Sequence, residues 1–211
     1  MTTDLLFVYS EPGPVPEAEF TDWYDHEHVP ARLSVPGFSN VCRFRAADDQ
    51  APSWLATYEI APGLLDSPEY QALAETASAR EKSIRSLATL DRRVYSPLSD
   101  SLGTGYAGGA PTAVLAVSLS VPPSLEGDLA AWYTDEHTPM LLAVPGWRRV
   151  RRYRLTAGTA PSYLALHELA STAVFDEPVY KAAVSTPWMK RIVESAIGGE
   201  RRVFTLHKAF S

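Results

Sequence analysis

The feature that most constrains this chain is that it is written twice. Placing Trp23 on Trp132 sets an offset of 109 residues, and the same offset carries Val35-Pro36-Gly37-Phe38 onto Val144-Pro145-Gly146-Trp147 and Arg43-Phe44-Arg45 onto Arg152-Tyr153-Arg154. It also carries Pro52-Ser53-Trp54-Leu55-Ala56 onto Pro161-Ser162-Tyr163-Leu164-Ala165, and Arg92-Arg93-Val94-Tyr95 onto Arg201-Arg202-Val203-Phe204. From Trp23 to Phe38 nine of sixteen aligned positions are identical, where unrelated sequences give about one. A tandem duplication follows, with repeats at 1–97 and 112–211. The glycines and serines of 98–111 read as a flexible linker between them.

Each copy has the same order of elements. "DLLFVYS" and "TAVLAVSLS" are short, β-rich apolar runs that read as first strands. The segment after Pro16 places Phe20, Trp23, Tyr24, Glu27, His28 and Ala31 on one helical stripe, repeated by Leu129, Trp132, Tyr133, Glu136, His137 and Met140. Pro30 and Pro139 are expected to disturb that helix, and Val-Pro-Gly to end it. Two strands follow, then a second helix over roughly 64–86 and 171–196, then a closing strand. The predicted fold class is α+β, with the order βαββαβ occurring twice. That order is the ferredoxin-like unit, whose antiparallel sheet carries helices on one face and leaves the other bare. Packing sheet to sheet within one chain would cover both bare faces.

This order and its motif resemble the EthD-like family of the dimeric α/β barrel superfamily. The residues that carry the resemblance are Trp23-Tyr24, Glu27-His28-Val29-Pro30 and Pro36-Gly37, and again Trp132-Tyr133, Glu136-His137-Thr138-Pro139 and Pro145-Gly146. It implies two ferredoxin-like repeats forming an intramolecular dimeric α/β barrel, hence a monomer with an internal pseudo-two-fold; further dimerisation stays open. Relatives with this fold include cofactor-free decarboxylases, polyketide cyclases, lactone isomerases, quinone-forming monooxygenases and haem degraders, so the fold does not choose the chemistry.

The candidate catalytic residues are His28 and His137, with Tyr24 and Tyr133 one turn earlier. A histidine near a helix C-terminus is expected to favour its protonated form. Trp23 and Trp132 would wall a pocket. The copies diverge at Asn40 (Arg149), Cys42 (Arg151) and Tyr58 (His167); Asn40, Tyr58 and His167 are therefore candidate substrate-binding positions. The alternative reading is a clasp: histidine bonded to the Val-Pro-Gly backbone, tryptophan in the core, glutamate paired with an arginine of the second strand. His26-Glu27-His28 suggests metal binding, but residues two apart on a helix point about 200° away from each other, and Asp135 replaces His26, so no metal site is expected. Cys42 reads as a small core residue, and the arginines of 148–154 as a solvated or acid-paired strand face, the alternative being recognition of a carboxylate or phosphate.

Composition bounds the rest. With 45% hydrophobic residues the chain can fill a core, and a net charge of −6 argues against a nucleic-acid partner. The third strands also lack the basic-Gly-aromatic signature of RNA-recognition domains. No apolar run spans a bilayer, the start lacks a signal-peptide pattern, and one cysteine excludes an internal disulfide. The reading is a cytoplasmic protein with no membrane partner and no cofactor. It would be an enzyme acting on a small hydrophobic, carbonyl-bearing ligand (aromatic or polyketide-like) by acid/base cyclisation, isomerisation or decarboxylation. Non-catalytic small-molecule binding and a haem-binding or haem-degrading monooxygenase of the same fold are the alternatives.

Overall fold

A computed structural model describes residues 3–104 and 106–210. The chain forms two compact units. The first comprises Met1–Ser96 with Thr156–Gly158 and His207–Ser211, and the second Pro97–Leu155 with Thr159–Leu206.

In the first unit β1 (Asp4–Glu11) leads into α1 (Glu17–Trp23), a π-helical turn (Tyr24–His28) and α2 (Val29–Leu33). Strands β2 (Phe38–Ala46) and β3 (Trp54–Ile60), helices α3 (Pro68–Glu75) and α4 (Ala79–Leu87), and β4 (Thr89–Leu102) complete it. Pairing is antiparallel in the order β4-β1-β3-β2, with Leu6 opposite both Tyr58 and Val94. The second unit repeats this with β5 (Ala113–Ser120), α5 (Glu126–Trp132), a π turn (Tyr133–His137), α6 (Thr138–Leu142), β6 (Trp147–Ala157) and β7 (Tyr163–Leu169). Helices α7 (Pro178–Ala183) and α8 (Pro187–Glu194) and strand β8 (Gly198–Phe210) follow, in the order β8-β5-β7-β6, with Leu115 opposite both His167 and Val203.

The prolines disturb the first helix, as expected, but do not end it. Pro30 cannot donate to the carbonyl of His26, and the chain absorbs this in a π turn: Val29 N–H reaches back to Tyr24, and Thr138 N–H to Tyr133. The helix then runs on to Leu33, so His28 does not sit at its end. The wider turn also brings residues five apart together, which sets His28 against Trp23. The Val-Pro-Gly turn does end the segment. Gly37 has φ +107°, and a Cβ there would lie 3.2 Å from Ala61 Cβ and Leu64 Cδ1.

The long second helix is two helices in each half. Pro68, Pro178 and Pro187 start new helices at the first turn, and Ser78 and Thr186 cap α4 and α8 by accepting from Glu81 N–H and Met189 N–H. Residues 98–102, expected in the linker, continue β4. Beyond them, Arg149 pairs with Asp100 at 2.7 Å and Arg148 donates to the Gly108 carbonyl at 2.8 Å, so arginines of β6 hold the segment. Gly105 of that segment lies outside the described residues, as do Met1, Thr2 and Ser211. Cys42 is half-buried on β2 rather than in the core.

The cores differ. In the first unit Phe20, Trp23, Tyr24, Val41, Tyr58 and Ile84 belong to one continuous apolar cluster between helices and sheet. In the second, Leu115, Leu141, Trp147 and Ala183 form one cluster and Leu119, Leu129, Trp132, Tyr133 and Ile192 another. No helix among the described residues is long and apolar enough to cross a membrane.

Candidate functional site

The π turn and the middle strand build the same corner in each unit. In the first, His28 lies between the rings of Trp23 and Tyr24, with centroids at 4.6 and 4.7 Å. Tyr58, projecting from β3, donates to the Tyr24 hydroxyl at 3.0 Å. Both phenols are buried, which raises their pKa. Behind Tyr24, the buried Arg43 guanidinium stacks on its ring at 4.1 Å and pairs with Asp25.

The first corner is closed by a carboxylate from α4. One Glu81 oxygen lies 2.9 Å from Arg32 Nη2 and 3.3 Å from His28 Nδ1, while the other accepts from the Trp23 indole at 3.3 Å. Burial opposes the Glu81 charge, but His28 and Arg32 override it and hold the pKa at about 2. Burial also lowers His28, to about 4, against the pull of Glu81. The imidazole is thus neutral at pH 7, opposite to the expectation from the helix dipole. Its nearest charged group is Glu81, although at 3.3 Å the contact falls short of hydrogen-bond geometry. Glu27 pairs with Arg80 of α4 at 2.5 Å rather than with an arginine of the second strand. The space left before Tyr24, His28 and Tyr58 is about 30 Å³, room for about one water.

The second corner keeps the aromatic frame and loses the charges. His137 stacks flat on Trp132 (4.2 Å, 20°), and Tyr133 meets it edge-on at 5.5 Å. Leu141 stands where Arg32 does. Met189 takes the place of Glu81, since the two N–H groups bond to matching helix caps. The Trp132 indole turns instead to Glu136 at 3.2 Å, which also accepts from Thr186 at 2.6 Å. The result is a cavity of about 380 Å³ between the two apolar clusters, lined by Trp132, Tyr133, His137, Trp147, His167 and Met189 among others.

The two imidazoles and the phenol of this cavity are uncharged at neutral pH, while Glu200 and Arg201 also line it. Burial lowers His137 to about 4, with the backbone of Ala183 pulling weakly the other way. Burial, then His137 and Arg201, lower His167 to about 3. Burial raises Tyr133 to about 12, opposed by Arg152. The Trp147 indole, which can only donate, lies 3.3 Å from His167 Nδ1; the network therefore assigns the His167 proton to Nε2. His137 Nδ1 is buried without a hydrogen-bond partner. The arrangement places two neutral imidazoles and a phenol along a largely apolar space.

The structure therefore brings Tyr24, His28, Trp23 and Tyr58 together in one corner and Tyr133, His137, Trp132 and His167 in the other. Asn40 is not part of either. It is exposed at a bulge with φ +47°, bonded to Glu59 at 2.8 Å. Residues that sequence reasoning missed are Glu81, Arg32, Leu141, Met189 and Trp147. The mismatch of Arg32 with Leu141 was a usable signal, because it interrupts the best-matched stretch of the repeat. Glu81 lies where the two copies drift out of register, so no alignment exposes it.

No protein-family model and no curated protein matches the chain. Solved structures do. An anthrone oxidase-like protein superposes with a TM-score of 0.70 at 13% identity, over 100% of this chain and 94% of its own. A mutant chlorite dismutase from Candidatus Nitrospira defluvii gives 0.61 at 12%, over 99% and 93%. A monooxygenase-like protein from Listeria innocua gives 0.56 at 11%, over 100% and 96%. These are proteins of the dimeric α/β barrel type, and what this chain shares with them is the fold.

Proposed function

We propose that the chain is an enzyme whose working site is the cavity of the second half, taking a hydrophobic, carbonyl-bearing aromatic or polyketide-like metabolite and moving a proton without a cofactor. The carrying observation is a 380 Å³ apolar cavity holding two neutral, buried imidazoles. His137 is the base: it removes an acidic C–H proton next to the carbonyl, and the proton rests on its ring. His167 Nε2–H and Tyr133 O–H donate to the enolate oxygen that develops, the role of an oxyanion hole in a dry site. Trp132 and Trp147 hold the ring system. The first-half histidine is a structural clasp in this reading. The resemblance over the whole chain to dimeric α/β barrel proteins supports taking the duplicated ferredoxin-like units as that barrel made within one chain.

A second fate for the enolate is favoured by the neighbour named anthrone oxidase-like. A methylene carbanion that adds O2 gives a hydroperoxide, and loss of water leaves a new carbonyl, so one O2 yields one C=O and one H2O. Haem fits this residue set poorly. His167 accepts from Trp147 on one nitrogen and carries its proton on the other, leaving no lone pair for iron, so only His137 could hold a haem here; a Soret band on adding haem that His137→Ala removes would favour that reading.

The test uses anthrone as probe, with O2 consumption and ultraviolet absorbance as readouts and quenching of Trp132 and Trp147 fluorescence for binding. His137→Ala is expected to lower turnover by about 10² to 10⁴, and His28→Ala to leave it unchanged once folded protein is normalised. Equal rates for wild type and His137→Ala would overturn the assignment.

A further inference from the structure

The first half holds another cavity, which the proton-transfer site does not use. Its volume is about 260 Å³, and Arg32, Arg85, Arg92, Tyr70, Leu65 and Leu73 line it. Three guanidiniums thus face one small space. They share a single carboxylate: Glu81 lies 2.9 Å from Arg32 and 3.8 Å from Arg85, and it already serves His28. Arg92 meets no acid among the described residues. Its Nη2 donates to the Tyr70 hydroxyl at 2.6 Å, and its guanidinium sits 5.8 Å from that ring's centre.

This leaves an excess of two positive charges around a walled space, and low-dielectric walls focus such a field inward. Arg32 is only 7% exposed, so one cation is fixed in place by the clasp. Arg85 and Arg92 reach solvent and can turn toward a ligand. Planar guanidinium forks match the paired oxygens of a phosphate, and three of them match its charge. The second half provides an internal contrast. There Leu141 replaces Arg32 and Val193 replaces Arg85, and only the Arg92–Tyr70 pair survives, as Arg201–Tyr180 at 3.3 Å.

We propose that this first-half cavity is a binding site for a doubly charged phosphate group, gripped by Arg85 and Arg92 over the fixed charge of Arg32. Leu65, Leu73 and Ala74 supply an apolar wall on which the organic part of a phosphate monoester would rest. Free phosphate and a monoester share the same chemistry at the arginines and differ only at that wall.

Isothermal titration calorimetry of the full chain with inorganic phosphate and with phenyl phosphate, at ionic strength held constant with sodium chloride, tests this. Arg85→Gln and Arg92→Gln, both at solvent-reaching positions, are each expected to weaken phosphate binding about tenfold. Arg191→Gln, on α8 of the second half, is expected to leave it unchanged. Tighter binding of phenyl phosphate assigns the site to monoesters, and equal binding assigns it to free phosphate. No heat beyond the chloride control, or unchanged affinity in both Arg85→Gln and Arg92→Gln with melting temperatures retained, would overturn the site.

Discussion

The two halves start from the same phrase, Trp-Tyr-x-x-Glu-His-x-Pro, and end in opposite states. In the first, a carboxylate and a guanidinium lock the histidine and leave about 30 Å³. In the second, leucine and methionine replace that pair and about 380 Å³ stays open. The difference teaches that the duplicated letters build the frame, and that their unmatched neighbours decide whether the frame is filled or available. Tryptophan, tyrosine and histidine meet in the same three ring pairs in both halves, at different angles.

The largest effect is expected where the filled corner is broken. Glu81→Ala strands Arg32 and His28 in the core, and loss of one partner of a buried ion pair costs about 3–5 kcal/mol. Urea unfolding at pH 7 measures it. Copying the other half sharpens the comparison. Glu81→Met with Arg32→Leu removes both charges together, and a buried pair replaced by apolar groups is often neutral. The double variant is expected to recover most of the stability that Glu81→Ala loses. If it is as unstable as the single variant, the clasp is not what distinguishes the halves.

A pH titration comes next in size. The native pKa values of His28 and His137, about 4, and of His167, about 3, lie below the ordinary 6.5. As pH falls below 6.5 the unfolded chain binds these protons and the native chain does not, so stability declines with falling pH, by at most about 1.4 kcal/mol per unit for each histidine. Glu81 adds its own loss lower down, from 4.5 to about 2, because its native pKa is depressed. His137→Leu and His167→Phe are each expected to flatten the stability curve between pH 6.5 and 4 by one proton's slope. An unchanged slope would mean that the cavity's imidazoles are solvated and cannot serve as a dry base and donor.

Most of the frame was legible in the sequence because period and repetition report it. The order of strands, the buried Phe20, Trp23, Tyr24 and His28 of the first helical segment and the Val-Pro-Gly turn all follow from spacing that two copies state independently, whereas Glu27, read into the same stripe, faces outward. The chemistry was not, for a local reason. Whether His28 is clasped or free depends on residue 81, fifty-three positions away on a helix whose breaks at Pro68 and Ser78 shift the register of the copies. Asn40 shows the reverse: divergence between copies marked it as a pocket residue, but an exposed bulge with positive φ also diverges, because asparagine tolerates that backbone and arginine does not need it.

The smallest effect separates the two glutamates of the shared signature, Glu27 and Glu136. Glu27 faces outward: its carboxylate meets Arg80 and the Ser78 hydroxyl, and side chains on both sides of the ion pair are 35% exposed. An exposed pair of this kind contributes at most about 0.5–1 kcal/mol. Glu136 sits half-buried and accepts two hydrogen bonds, from the Trp132 indole that walls the cavity and from the Thr186 cap of α8. Removing it leaves a buried indole N–H unbonded, at about 1–2 kcal/mol, and frees the ring on which His137 stacks. Glu27→Ala is therefore expected to change stability by less than about half as much as Glu136→Ala, and only Glu136→Ala to alter quenching of cavity tryptophan fluorescence by anthrone. Equal effects at the two positions would return the signature to a purely structural role in both halves.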